Sequence, residues 1–161
     1  MTDRDTEADA VLARYATDLA AAVEAAVPAW VERSVRTVAD RQGIRLGEAA
    51  VEQARAAAEA ARSDGGTRMR ALLAADIDVQ VGSPLAVLRS LVAYPTEVLR
   101  EAGARPVPRD EFSVRSFPDD DYDLAPAAFA DLDPALHEPG MAWGAAKAYV
   151  HLSRRRAEGK A

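Results

Sequence analysis

The chain has 161 residues, a formal net charge of −6 and no cysteine. The missing thiols exclude thiolate catalysis, Cys-ligated zinc, iron–sulfur clusters and a disulfide framework, and the length suffices for one domain with its own core. No window of about 18 residues is apolar and uncharged, so no membrane span is expected. The start, Met1-Thr2-Asp3-Arg4-Asp5, lacks the basic and apolar segments of a secretory signal, which makes the cytoplasm the expected location.

Leu12, Tyr15, Leu19, Val23 and Val27 recur at three- or four-residue spacing and predict a helix from about Thr6 to Val27. Its acidic start, Asp3, Asp5, Glu7 and Asp9, suits a helix N-terminus. Pro28 leaves two outcomes, a kinked continuation or a second helix, carried by Trp30, Val31, Val35 and Val38 to a stop at Gly43. Gly47 to Arg62 predicts a helix whose apolar face (Ala50, Val51, Ala54, Ala58, Ala61) is made of small side chains, so another backbone can approach closely.

Ser63-Asp64-Gly65-Gly66 reads as a turn, with Thr67 capping a further helix through Met69, Leu72 and Leu73. Asp76 to Val81 alternates like a strand, but a lone strand has no partner here, so helix is predicted. Ser83-Pro84 is a helix start. The residues after it, Leu85, Val87, Leu88, Leu91 and Val92, are apolar around most of the circumference, as in a central helix. Pro95-Thr96 is expected to break it and restart a short helix ending at Gly103.

From Ala104 to Gly140 the composition changes. Three basic residues face nine acidic ones, and six of the chain's nine prolines lie there. Long helices are forbidden, and extended chain with one-turn helices is expected, Asp133-Pro134 starting one of them. Phe112, Phe117, Tyr122, Leu124, Phe129 and Leu132 are too many large apolar groups for a disordered tail, so this strap should lie on the helices with its aromatics inserted. Met141 to Arg156 closes the chain as a helix with a basic end.

The expected fold is therefore all-α: a compact domain of about five to six helices with a Pro-rich acidic strap packed on it. A single domain covers 1–161, divided into a helical body (1–103), the strap (104–140) and a C-terminal helix with a basic end (141–161).

No catalytic anchor emerges. There is no Gly-x-Ser-x-Gly elbow, phosphate loop or dinucleotide fingerprint. Asp119, Asp121 and Asp123 imitate the start of a calcium loop, but Leu124 and Ala130 stand where Gly and a bidentate Glu are required. Asp76, Asp78, His137, Glu138 and His151 could hold a metal only if folding brought them together. His137 and His151 cannot form an H-E-x-x-H helix, since Pro139 is expected to stop the helix and no His lies four residues beyond His137. No cofactor is expected.

Two surfaces remain. The segment Phe117 to Leu124, with Phe117, Asp119, Asp120, Asp121, Tyr122 and Leu124, has the aromatic anchors and acidic steering of a protein-docking peptide, although the same residues could instead pack within the domain. Arg154, Arg155 and Arg156 could meet nucleic acid, but fold-back of this basic end onto the acidic strap is preferred.

Tyr94-Pro95-Thr96-Glu97-Val98-Leu99-Arg100, Arg109-Asp110-Glu111-Phe112, Phe117-Pro118-Asp119-Asp120 and the stretch from Leu136-His137-Glu138-Pro139-Gly140 to Trp143-Gly144-Ala145-Ala146-Lys147 resemble uncharacterised conserved proteins of high-GC actinobacteria. The resemblance implies a source and carries no activity. The expected role is that of a non-enzymatic, cytoplasmic protein-interaction or regulatory protein. Its contact surface would be the strap or the small-residue face of Gly47 to Arg62, its partner an unidentified protein or a second copy of the chain. A metal- or ligand-binding protein and a nucleic-acid-associated protein are the alternatives.

Overall fold

In the computed structural model, which describes residues 3–75, 83–108 and 120–159, α1 runs through 39 residues from Asp3 to Arg41. Pro28 lies inside it, so the kinked or divided helix resolves into one element. Proline removes the N–H that would bond the carbonyl of Glu24. The neighbours Val23, Val27, Trp30 and Val31 are buried, and their packing carries the helix across the gap. Gly43 ends it in the left-handed region at φ +66°. There Ile44 N–H donates to the Ala39 carbonyl at 2.8 Å and Gly43 N–H to that of Asp40 at 3.2 Å, closing the orphan carbonyls.

α2 spans Glu48–Ala74 without a break. The turn expected at Ser63-Asp64-Gly65-Gly66, with Thr67 as a cap, does not form. Both glycines are buried in the helix, and they serve close approach: a Cβ on Gly65 would stand 2.9 Å from Leu91 Cδ1, and one on Gly66 2.9 Å from the Glu24 carboxylate. Packing against two neighbours outweighs the intrinsic cost of helical glycine, about 1 kcal/mol each. Ala54, Ala58 and Ala61 complete this small-residue face and are buried against the rest of the fold, while Val51 is exposed.

α3 spans Pro84–Ser90 and α4 Ala93–Glu101. Ser83 caps α3 as expected, its Oγ accepting from Leu85 N–H at 3.2 Å. The break between the two falls at Leu91 and Val92, ahead of Pro95, which sits in the first turn of α4, where its missing N–H costs nothing. Gly103 then stops α4 at φ +85°, Ala104 N–H closing on the Leu99 carbonyl at 2.9 Å. The expected central position of α3 belongs instead to α1, which packs against α2, α4 and α6 (His137–Ala157). The expected helix at Asp76 to Val81 lies outside the described residues.

The described part of the strap is extended chain punctuated by α5 (Phe129–Leu132) and a one-turn 3₁₀ helix (Pro134–Leu136), which Asp133 caps through Ala135 N–H at 2.9 Å. Side chains of the body hold it. The Gln42 amide both donates to the Arg105 carbonyl (2.7 Å) and accepts from Arg105 N–H (2.8 Å). Arg89 donates to the Pro126 carbonyl and Arg33 to that of Leu132.

Two hydrophobic clusters result. The larger gathers Leu19, Val23, Val27 and Val31 of α1 with Met69, Leu88, Leu91, Leu132 and Trp143. The smaller joins Val35 and Val38 to Ala54, Val98, Leu99 and Tyr122. The described residues contain helices and connecting chain without a strand, an all-α domain.

α6 starts four residues earlier than Met141, the expected first position. Pro139 and Gly140 fall in its first turn, so Pro139 helps begin the helix it was expected to stop. Gly140 lies beneath the Phe129 ring, which a Cβ there would meet at 2.8 Å.

Candidate functional site

Residues 120–123 of the acidic run form a turn tied into the domain. The Asp120 carboxylate is buried and accepts from Leu124 N–H at 2.7 Å and Ala125 N–H at 2.8 Å. Asp121 pairs with Arg100 at 2.6 Å, which raises the guanidinium's affinity for its proton chiefly through the hydrogen bond. Tyr122 is buried and donates its phenol to the Ala104 carbonyl at 3.0 Å. Its acidity is weakened chiefly by that burial. Leu124 is half-buried against both clusters. Four of the six candidate docking residues thus face into the domain; Phe117 and Asp119 lie outside the described residues.

Among the described residues the metal candidates do not converge. Asp76 and Asp78 lie outside the described residues. His137 and His151 sit fourteen residues apart on α6, about 21 Å along its axis, too far for one ion, and Glu138 accompanies only the first. Among the described residues no group of three or more His, Asp or Glu side chains is arranged to hold a metal.

Arg154, Arg155 and Arg156 occupy the last turn of α6. Successive helical residues are rotated by about 100°, so the three guanidiniums leave the helix in three directions. Arg154 pairs with Asp9 of α1 at 3.1 Å. This pair ties the basic end to the acidic start of α1, beside which the antiparallel α6 ends; residues 109–119 of the strap, its expected partner, lie outside the described residues.

The built feature is the inner flank of α6. There α1, the end of α2 and α6 enclose a cavity of about 450 Å³, within the usual range for small-molecule sites. Its walls are mainly apolar: Leu12, Ala16, Ala20, Leu73, Trp143 and Val150. Three cations of the described residues border it. Arg70 is held by Glu24 and Arg154 by Asp9. Lys147 instead lies over the Trp143 ring, 4.7 Å from its centroid, and has no carboxylate partner among the described residues. Burial lowers the affinity of its amine for the proton. Trp143 Nε1 is buried without an acceptor among the described residues.

Lys147 and Trp143 had a readable signal. A cation four residues after an aromatic on a helix lies on its ring, although in the sequence Lys147 registers only as part of the basic end. Arg70 and Leu73 carry no such local mark; tertiary packing brings them to the cavity. The chain matches no protein-family model, no curated protein and no solved structure.

Proposed function

We propose that the protein is a binding protein for a small amphipathic anion, held non-covalently between α1, α2 and α6. The supporting observation is the pairing of an apolar cavity with Lys147, a half-buried cation whose neighbours Arg70 and Arg154 already have carboxylates. An apolar body on Trp143, Leu73 and Val150 with a carboxylate or similar head on Lys147 would restore the solvation that the amine loses on burial. Cation and apolar wall together select against neutral apolar molecules and against bare inorganic ions.

The test compares 4-phenylbutyrate with 4-phenylbutanol, which share the apolar body and differ in charge. Thermal unfolding should shift upward with the carboxylate, by roughly 2.7 kcal/mol of added stability at a hundred times the dissociation constant. The alcohol should shift it much less, and Lys147→Met should remove the difference. Equal responses to both compounds, or none to either, would sink this reading.

A second reading, protein contact, is favoured by the outer flank of α6, where Met141, Tyr149 and Leu152 are exposed.

A further inference from the structure

We infer that the outer face of α6 pairs with the same face of a second copy, antiparallel across a two-fold axis. The inference goes beyond the ligand site, which occupies the opposite flank of the helix. Met141, Tyr149 and Leu152 are 64%, 61% and 52% exposed, and they account for three of the four large hydrophobic side chains exposed among the described residues. With Ala145 they follow the 141, 145, 149, 152 spacing of a single helical stripe. Beside that stripe runs an open groove in which Val11 and Tyr15 of α1 extend the apolar surface.

The charges at the ends of the stripe specify what covers it. Glu138 and Arg156 are eighteen residues apart, about five full turns, and therefore leave α6 in the same direction as the stripe between them. Both are exposed, and neither forms an ion pair with another described residue. The segment between them on this face carries no charge.

An antiparallel partner centred on position 147 sets Glu138 of each copy against Arg156 of the other, twice over. It also sets Ala145 against Tyr149 and Ala142 against Leu152, a small residue facing a large one each time. A parallel partner would oppose glutamate to glutamate and arginine to arginine. An antiparallel partner shifted by a turn would separate the charges and stack Tyr149 against Tyr149. An isologous interface demands such self-complementarity, and the antiparallel arrangement also aligns the two helix dipoles favourably.

Sedimentation equilibrium of the full chain across a range of concentrations reads the outcome, with far-UV circular dichroism confirming that each variant keeps its helices. A reversible dimer is expected. Arg156→Glu should weaken it about ten-fold or more, since two attractions become two repulsions, and Tyr149→Ala should weaken it further. Combining Glu138→Arg with Arg156→Glu should restore the dimer. A chain that stays monomeric at all concentrations overturns the proposal, even if it captures a different protein on this face. So does a dimer indifferent to Arg156→Glu, or one that the double exchange fails to restore.

Discussion

Leu91 lies over Gly65 so closely that a Cβ on the glycine would stand 2.9 Å from its Cδ1. Leu91 is fully buried, so its methyl groups have nowhere to withdraw. In an open helix, replacing glycine with alanine adds about 1 kcal/mol of stability; here the overlap reverses the sign. Gly65→Ala should destabilise the protein by about 1–3 kcal/mol. Gly144, in the middle of α6 with open space around its Cα, is the control, and Gly144→Ala should stabilise by up to about 1 kcal/mol. Urea unfolding of both variants checks the opposite signs.

The strap should prove a structural part of the domain. Asp120→Ala leaves the N–H groups of Leu124 and Ala125 without their acceptor, a loss of about 1.5–3 kcal/mol. Tyr122→Phe orphans the Ala104 carbonyl for about 1 kcal/mol, and Tyr122→Ala adds a cavity, for about 3–5 kcal/mol in all. A ranking Tyr122→Ala above Tyr122→Phe in chemical unfolding supports the inserted position. Wild-type stability of Tyr122→Ala would contradict it.

Lys147 should behave as a residue kept at some cost to stability. Burial disfavours its charged form, so the unfolded chain binds this proton more tightly than the folded one. Between the lowered folded pKa and the ordinary one, stability contributed by this group rises with pH. Below that window the charge opposes folding. Lys147→Met should therefore leave the unfolding midpoint at neutral pH unchanged or higher, even after losing the contact with Trp143, worth about 0.5–1 kcal/mol.

In the ligand-bound protein the direction reverses, since an anion favours the charged amine. At pH near or above the folded pKa of Lys147, binding of 4-phenylbutyrate should take up protons, and it should weaken as pH rises through that pKa. Among the described residues, Asp9 and Arg154, paired with each other, and Arg70, paired with Glu24, are the other charges facing the cavity. Isothermal titration in two buffers of different ionisation heat measures the uptake.

The helical class, both glycine stops and the Ser83-Pro84 start were legible because each depends on a few adjacent residues: a 3.6 period, a positive φ, a cap. What the sequence obscured lies where tertiary contact overrides local preference. Gly65 and Gly66 have the composition of a turn, and only the positions of Leu91 and Glu24 make them a close-packed helical face. Pro28 leaves a kink or a new helix open and Pro95 and Pro139 predict breaks, yet the first is bridged by buried neighbours and the other two sit in first turns. The cavity was illegible for a similar reason: Leu12, Leu73 and Val150 belong to three helices, and nothing in their spacing says that they meet.

Val31 belongs to the larger cluster and Val35, one turn further along α1, to the smaller. Each half of the molecule therefore stands on the same helix. Separating them would mean fraying α1 in its buried middle, where each new helical start needs its own costly nucleus. Amide hydrogens on either side of Pro28 should therefore exchange as one cooperative unit with a similar opening free energy.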